Sequence, residues 1–307
     1  MRPEPDEPGR ASRMSLPSRG VRALRLCAAV TLLLLSVARS VVGVLYERLD
    51  LLLGLEAESW LDLDGGQLHT FRHAVRQRVE ENRREELPHY IAFLELAATR
   101  VASPPDAATL QADAEGLRLL LRDTIRRSLP LVADTLVSLR PGQIRHLEEQ
   151  FAQNNAEYAE EYMELSPERF RKNRLRRSRE AVERWTGRLD ASQRERVASL
   201  VDTVPDGSAA WSAYSTGWQQ SLLTELRAGV GRDRLLGLLE TWWTTDAAMD
   251  PAYVAQLEDN RRLIADSLAS LLPTLSDRQR ARAAREFREL AADLRELQHP
   301  QQGGEGQ

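Results

Sequence analysis

Cysteine occurs once in 307 residues, at Cys27. A single thiol excludes an intrachain disulfide, and removal of the segment carrying it would leave no thiolate catalysis and no cysteine-based zinc site. Lysine is equally scarce, since Lys172 is the only one among 42 basic residues. That bias reflects either arginine-favouring codons or selection for bidentate anion contacts, which arginine makes better than lysine. Aromatic residues are sparse, and alternating β-branched runs flanking an Asn-Gly or Asp-Gly hairpin are missing, which removes the usual signs of a sheet. No apolar run reaches the ~20 residues needed to span a bilayer. Serine-hydrolase elbows, phosphate loops and dinucleotide fingerprints are also absent. His69 and His73 stand four apart in "HTFRH", but no Glu follows His69, so the zinc-protease motif is not formed, and Arg72 and Arg76 would repel a cation. The sequence therefore points to no catalytic residue, no metal, no cofactor and no enzyme.

What is present begins with the leader. Residues 1–20 are rich in Pro, Arg, Glu and Ser without periodicity, and Met14 is a second candidate start. "MSLPSRGVRALRL" reads as a positive n-region, followed by an apolar run of thirteen residues from Leu26 to Ala38, the length of a signal-peptide core. Ala38 and Ser40 are small enough for cleavage after Ser40. The expectation is an exported, periplasmic protein; the alternative is an inner-membrane anchor retained through an uncleaved segment, the one route to membrane contact. "LSVA", Leu35 to Ala38, has lipoprotein-signal spacing, but Arg39 stands where the lipid-bearing cysteine would be, and arginine forms no thioether. Residues 1–40 hold seven basic and three acidic side chains, so removing them leaves 35 against 43. That negative balance opposes general nucleic-acid binding.

Beyond residue 40 the apolar spacing is helical nearly throughout. A first helix is expected over 41–60, then a second from Asp64 with Leu68, Phe71, Val75 and Val79 on one side, kinked or ended by Pro88. "SPP" at Ser103 is a break before a long helix over 106–139. Ile144, Leu147, Phe151, Asn155, Tyr158 and Tyr162 form a heptad-like stripe with one amide in it, and Leu175, Ser178, Val182, Trp185 and Leu189 form another. "DTVPDGS" at Asp202 divides an N-terminal helical subdomain, 41–204, from a C-terminal one, 205–298, with an unstructured tail at 299–307. The predicted fold is all-α, an array of long antiparallel helices in a bundle.

One pattern recurs: "LDGGQ" at Leu63, "LRPGQ" at Leu139, "LSPER" at Leu165, "LDASQ" at Leu189 and "LSDRQ" at Leu275. Asp190, Ser166 and Asp277 can each cap a helix start, and Gln193 stands where it could bond back to its cap. The pattern is similar to the Leu-Thr-x-x-Gln repeat of Spy- and CpxP-type periplasmic chaperones, though threonine is absent from every copy.

Charge clusters supply the candidate binding residues. Arg83, Arg84, Glu85 and Glu86 are adjacent in "NRREELPHYIAFL" and cannot share one helix face. Glu157, Glu160, Glu161 and Glu164 precede Arg169, Arg171, Lys172, Arg174, Arg176, Arg177 and Arg179, so a tight turn at Leu165-Ser166-Pro167 would fold the acidic helix beside the basic one. Asn155, if buried, needs a partner, which Arg174 or Arg177 could supply; with Tyr158 they would line a pocket for an anionic ligand. Trp185 joins the same surface. Trp242 and Trp243 are adjacent, so they are not expected to face one core, and one could support a partner.

"LYERLDLLLGLEAESWLDLDGGQ", "RREELPHY", "AQNNAEYAEEYMELSPERFRKNRLRR" and "RWTGRLDASQ" resemble segments of an uncharacterised family of proteobacterial lipoproteins, domain of unknown function 6279. The resemblance runs from Leu45 to Leu297 and is specific before Pro205. Family members carry a lipid cysteine where this chain has Arg39, so lipid anchoring is not implied for it. The family implies no activity. Two functions are expected: a non-enzymatic cell-envelope protein that holds a protein partner or client through an Arg- and aromatic-bearing helical surface, or an envelope binder of an anionic small molecule or lipid headgroup.

Overall fold

A computed structural model describes residues 46–298; the leader, its cleavage after Ser40, Cys27, Arg39 and the tail from 299 lie outside the described residues. Among the described residues there are eleven α-helices and no strand. They are α1 (Leu49–Leu61), α2 (Gly65–Glu85), α3 (Leu87–Ala102), α4 (Ala107–Val137), α5 (Pro141–Tyr162), α6 (Pro167–Thr186), α7 (Ala191–Thr203), α8 (Ser208–Arg227), α9 (Arg232–Thr244), α10 (Pro251–Leu271) and α11 (Asp277–Gln298). The all-α bundle read from periodicity is the fold.

Local chemistry explains most boundaries. Asp64, Asp106, Ser166, Asp190 and Asp250 accept backbone N–H groups at helix starts. Pro141, Pro167 and Pro251 occupy first helical positions, where a missing N–H costs nothing. Pro88 does the same work in the first turn of α3: the chain ends α2 at Glu85 and starts a new helix rather than kinking an old one. The cap of α11 is Ser276, not Asp277, because the Ser276 hydroxyl accepts from the Gln279 N–H while Asp277 stands one position inside the helix.

Two large clusters hold the bundle. One packs Leu129, Ala133 and Leu136 of α4 with Ile144, Leu147 and Phe151 of α5, Trp218 and Leu222 of α8, and Leu235, Leu239 and Trp242 of α9. The other joins Tyr46 and Leu49 to Leu87, Tyr90, Ile91 and Leu94 of α3 and Ala291, Leu294 and Leu297 of α11. Both combine residues from either side of Pro205. The α3–α11 pairing is the most extensive helix contact, and small residues, Ala98 on α3 and Ala283, Ala284 and Ala291 on α11, are buried in these helices.

The recurring glutamines have a role beyond capping their own helices. Gln67 Oε1 accepts the Asp64 N–H and Gln143 Oε1 accepts the Arg140 N–H. Each amide nitrogen then crosses to the other helix. Gln67 Nε2 donates to the Ser138 carbonyl at 2.8 Å, Gln143 Nε2 donates to the Asp62 carbonyl at 2.7 Å, and the two amides bond each other. The arrangement is repeated by Gln193 and Gln279. Their oxygens accept the Asp190 and Ser276 N–H groups, and their nitrogens reach the Thr274 and Arg188 carbonyls at 2.9 and 3.0 Å. In all four cases the carbonyl lies two residues before the partner's cap. Two amide clasps therefore tie the start of α2 to that of α5, and the start of α7 to that of α11. The fifth copy, with Arg169 in the glutamine place, keeps only the Ser166 cap.

Candidate functional site

The expected pocket around Asn155 is closed by the protein's own side chains. Asn155 exchanges hydrogen bonds with Gln219 of α8 at 2.7 and 3.3 Å, so its partner is another amide rather than Arg174 or Arg177. Tyr158 stacks on Tyr162 with centroids 4.7 Å apart, and its hydroxyl, whose pKa burial raises, reaches the Ser208 carbonyl at 3.5 Å. Arg171 grips Asp202 of α7 through two bonds at 2.6 and 2.7 Å. Arg174 donates to the Val204 carbonyl at 2.7 Å. Arg177 pairs with the acidic helix, at Glu161, and lies over the Tyr162 ring. The basic helix α6 packs chiefly on α7 and α11 rather than back along α5. Trp185 stacks on Phe287 of α11 with centroids 4.4 Å apart.

The second candidate cluster divides as its spacing requires. Arg84 and Glu85 face solvent, with Glu85 paired to Arg127. Arg83 and Glu86 turn inward and are buried. Glu86 is held by three donors: Arg78 on one oxygen, Asn82 at 2.9 Å and Thr124 at 2.5 Å on the other. Tyr46 donates to Asn82 at 2.9 Å, the Arg83 guanidinium lies 5.2 Å over the Tyr46 ring, and the Tyr90 hydroxyl stands 2.7 Å from that of Thr124. Burial pushes the Tyr46 phenol well above its usual pKa, with Arg83 pulling the other way.

This network forms one end of a partly open pocket of about 240 Å³ between α1, α2, α4, α5, α8 and α9. Leu53 and Ala57 of α1, Val75 and Val79 of α2, Ile125 and Val132 of α4 and Leu222 of α8 make an apolar wall. Arg78, Asn82, Tyr46 and Thr124 line the polar end. The other end is aromatic. Trp60, Phe151, Trp218 and Trp243 line it, with Phe151–Trp218 and Trp218–Trp243 edge to face at 5.7 and 5.6 Å. Both adjacent tryptophans, Trp242 and Trp243, thus pack about Trp218. Along α2 the lining runs from Phe71 to Asn82, which at 1.5 Å per residue is a length of ~16 Å.

None of the sequence-predicted binding residues lines this pocket; Arg83 and Glu86 sit directly behind its polar end. Arg78, Asn82, Tyr46 and Thr124 escaped the sequence reading, although Arg78 follows Val75 by three positions, on the side of α2 that carries the apolar row. No group of three His, Cys, Asp or Glu side chains suited to a metal ion occurs among the described residues.

The model of one family, described as a family of unknown function (DUF6279), matches residues 59–248. That span holds the Gln67–Gln143 clasp and the polar end's Arg78, Asn82 and Thr124. No curated protein matches the chain, and no solved structure does.

Proposed function

The chain belongs to the DUF6279 family, and we propose that it is a non-enzymatic helical protein of the bacterial cell envelope that binds a single-chain amphiphile in this pocket. The observation that carries this reading is the pocket's lining: apolar side chains over most of its length, interrupted by Glu56, Ser128 and Thr135, with a polar cluster at one end and an aromatic one at the other. The pocket leaves those apolar side chains without the packing that a filled core would supply. A fold that only needed stability would fill it. Engineered apolar cavities of ~150 Å³ already take up benzene.

Placement in the envelope rests on the leader sequence, with export favoured over anchoring. No helix among the described residues is long and apolar enough to cross a membrane. The pocket supports ligand binding better than the arginine and aromatic surface supports a protein client. Arg171, Arg174 and Arg177 are each engaged within the chain, and Trp185 is stacked on Phe287.

The test is a titration of the purified full chain with dodecanol, whose extended length matches the pocket. Saturable change in tryptophan emission and a rise in melting temperature are expected, because Trp60, Trp218 and Trp243 line the site and a ligand bound only by the folded state stabilises it. Ala57→Phe, which places a ring in the pocket, should abolish both responses with helical circular dichroism unchanged. A wild-type chain that shows no saturation, or an Ala57→Phe variant that responds like it, overturns the reading.

A further inference from the structure

The polar end of the pocket is not electrostatically balanced. Two guanidinium groups, those of Arg78 and Arg83, are buried there to 12% and 9% side-chain exposure. Only one carboxylate, that of Glu86 at 5%, is buried with them, and the acid that lines the pocket itself, Glu56 on α1, is half-buried. The partner of Arg83, Glu80, is 56% exposed, so water screens that pair. The hydrogen bonds tell the same story. Glu86 already accepts from Arg78, Asn82 and Thr124. Arg78 Nε and Nη1 and Arg83 Nε are shut away from solvent without an acceptor. Buried donors left unpaired are costly, and charged ones more so. The end is therefore short of acceptors for its guanidinium N–H groups.

From this imbalance we infer that the ligand carries an anionic oxygen head, a carboxylate, and that Arg78 is the residue that receives it, with the hydrocarbon chain running along α2 toward the tryptophans. The inference rests on the amphiphile reading and adds the head group and its orientation. A carboxylate offers acceptors only; an alcohol offers one donor as well, and an ammonium offers donors alone, against a site that already has donors to spare. Arg78 lines the pocket itself, whereas Arg83 stands behind Tyr46 and contributes field rather than contact.

Three ligands of equal chain length separate the possibilities: dodecanoic acid, dodecanol and dodecylamine, titrated into the full chain below their aggregation concentrations near neutral pH. The acid should bind about tenfold more tightly than the alcohol, the gain expected from charge-assisted hydrogen bonds, and the amine most weakly. Replacing Arg78 alone would strand buried Glu86, so the informative variant is Arg78→Met with Glu86→Gln, which removes both charges together. That variant should lose the preference for the acid, so that acid and alcohol bind it alike. Equal affinities for acid and alcohol in the wild type, or an amine that binds best, overturn the inference while leaving the amphiphile reading intact. A preference for the acid that survives in the double variant overturns the assignment to Arg78. Failure of all three to bind overturns the underlying reading instead.

Discussion

Gln193 is only 1% exposed, yet it is a polar side chain using every atom of its amide. Its oxygen takes the Asp190 N–H, and its nitrogen serves both the Thr274 carbonyl and Gln279. Gln193→Ala would strand those groups where water cannot replace the lost amide, at ~1–3 kcal/mol for each buried unsatisfied group. A loss of about 3 kcal/mol is expected in urea unfolding, and the double variant with Gln279→Ala should cost less than the sum of the singles because each already breaks the shared bond. Gln67→Ala, at a half-exposed clasp, should cost about 1 kcal/mol. The repeated leucine–glutamine pattern was visible in sequence, and so was the capping use of Gln193. The cross-helix pairing was not, because it depends on which two helix starts the fold brings together. The same reason hides Gln219 as the partner of Asn155. Arg78 was missed differently: an arginine in an arginine-rich helix reads as solvated surface, and only its position on the apolar row of α2 distinguishes it.

Among the helices, α6 and α8 have the same length and opposite characters. The twenty residues of α6 bury only Thr186, whereas α8 buries seven, including Trp218, Leu222, Leu223 and Leu226. Apart from the Trp185–Phe287 stack and the half-buried Leu175 and Val182, which pack on Leu189, Val197 and Leu271, α6 is tied down by exposed or half-exposed arginines, and such pairs contribute ~0–1 kcal/mol each. Helices with few buried contacts open at lower free energy than the global transition. Amide exchange should therefore be fastest in α6 and slowest in α8 and α9. Arg174→Ala with Arg177→Ala releases the Val204 carbonyl and Glu161 ties and should speed exchange in α6 further without altering α8. Accelerated exchange in α8 would show that the cluster supports the core. Helix existence and most boundaries were legible at this scale because caps, prolines and 3.6-residue spacing are local. The neighbours of α6 were not: opposite charges on consecutive helices suggested a fold-back onto α5, but its partners include Asp202 on α7, a residue the charge pattern did not single out.

Across the whole molecule the most extensive packing joins α3 to α11, helices nearly two hundred residues apart, and nothing in either sequence names the other. What the composition does foretell is how the assembled bundle responds to pH. Its cations are almost all arginine, which stays protonated throughout the accessible range. Ion pairs can thus be lost only by protonating their carboxylates. Gln67 and Gly66 N–H bonds with Arg140 lower the pKa of Asp64, Arg171 lowers that of Asp202, Arg118 that of Glu115 and Arg234 that of Glu225. A carboxylate depressed in the folded state stabilises above its unfolded value, here 3.8 for Asp and 4.5 for Glu, and that contribution disappears as pH falls through the lower folded value. The alkaline limit has another origin. Burial raises the phenols of Tyr46, Tyr158, Tyr214 and Tyr253 above their usual 10.0. Above pH 10.0 the unfolded chain releases those protons first, so stability falls as pH rises from there toward the folded values. The melting temperature should accordingly be level from about pH 5 to about pH 9.5 and decline on both sides. Tyr46→Phe should soften the alkaline decline and leave the acid limb unchanged. A melting temperature that already falls between pH 7 and 9, where neither set of groups titrates, would contradict this account of what holds the bundle.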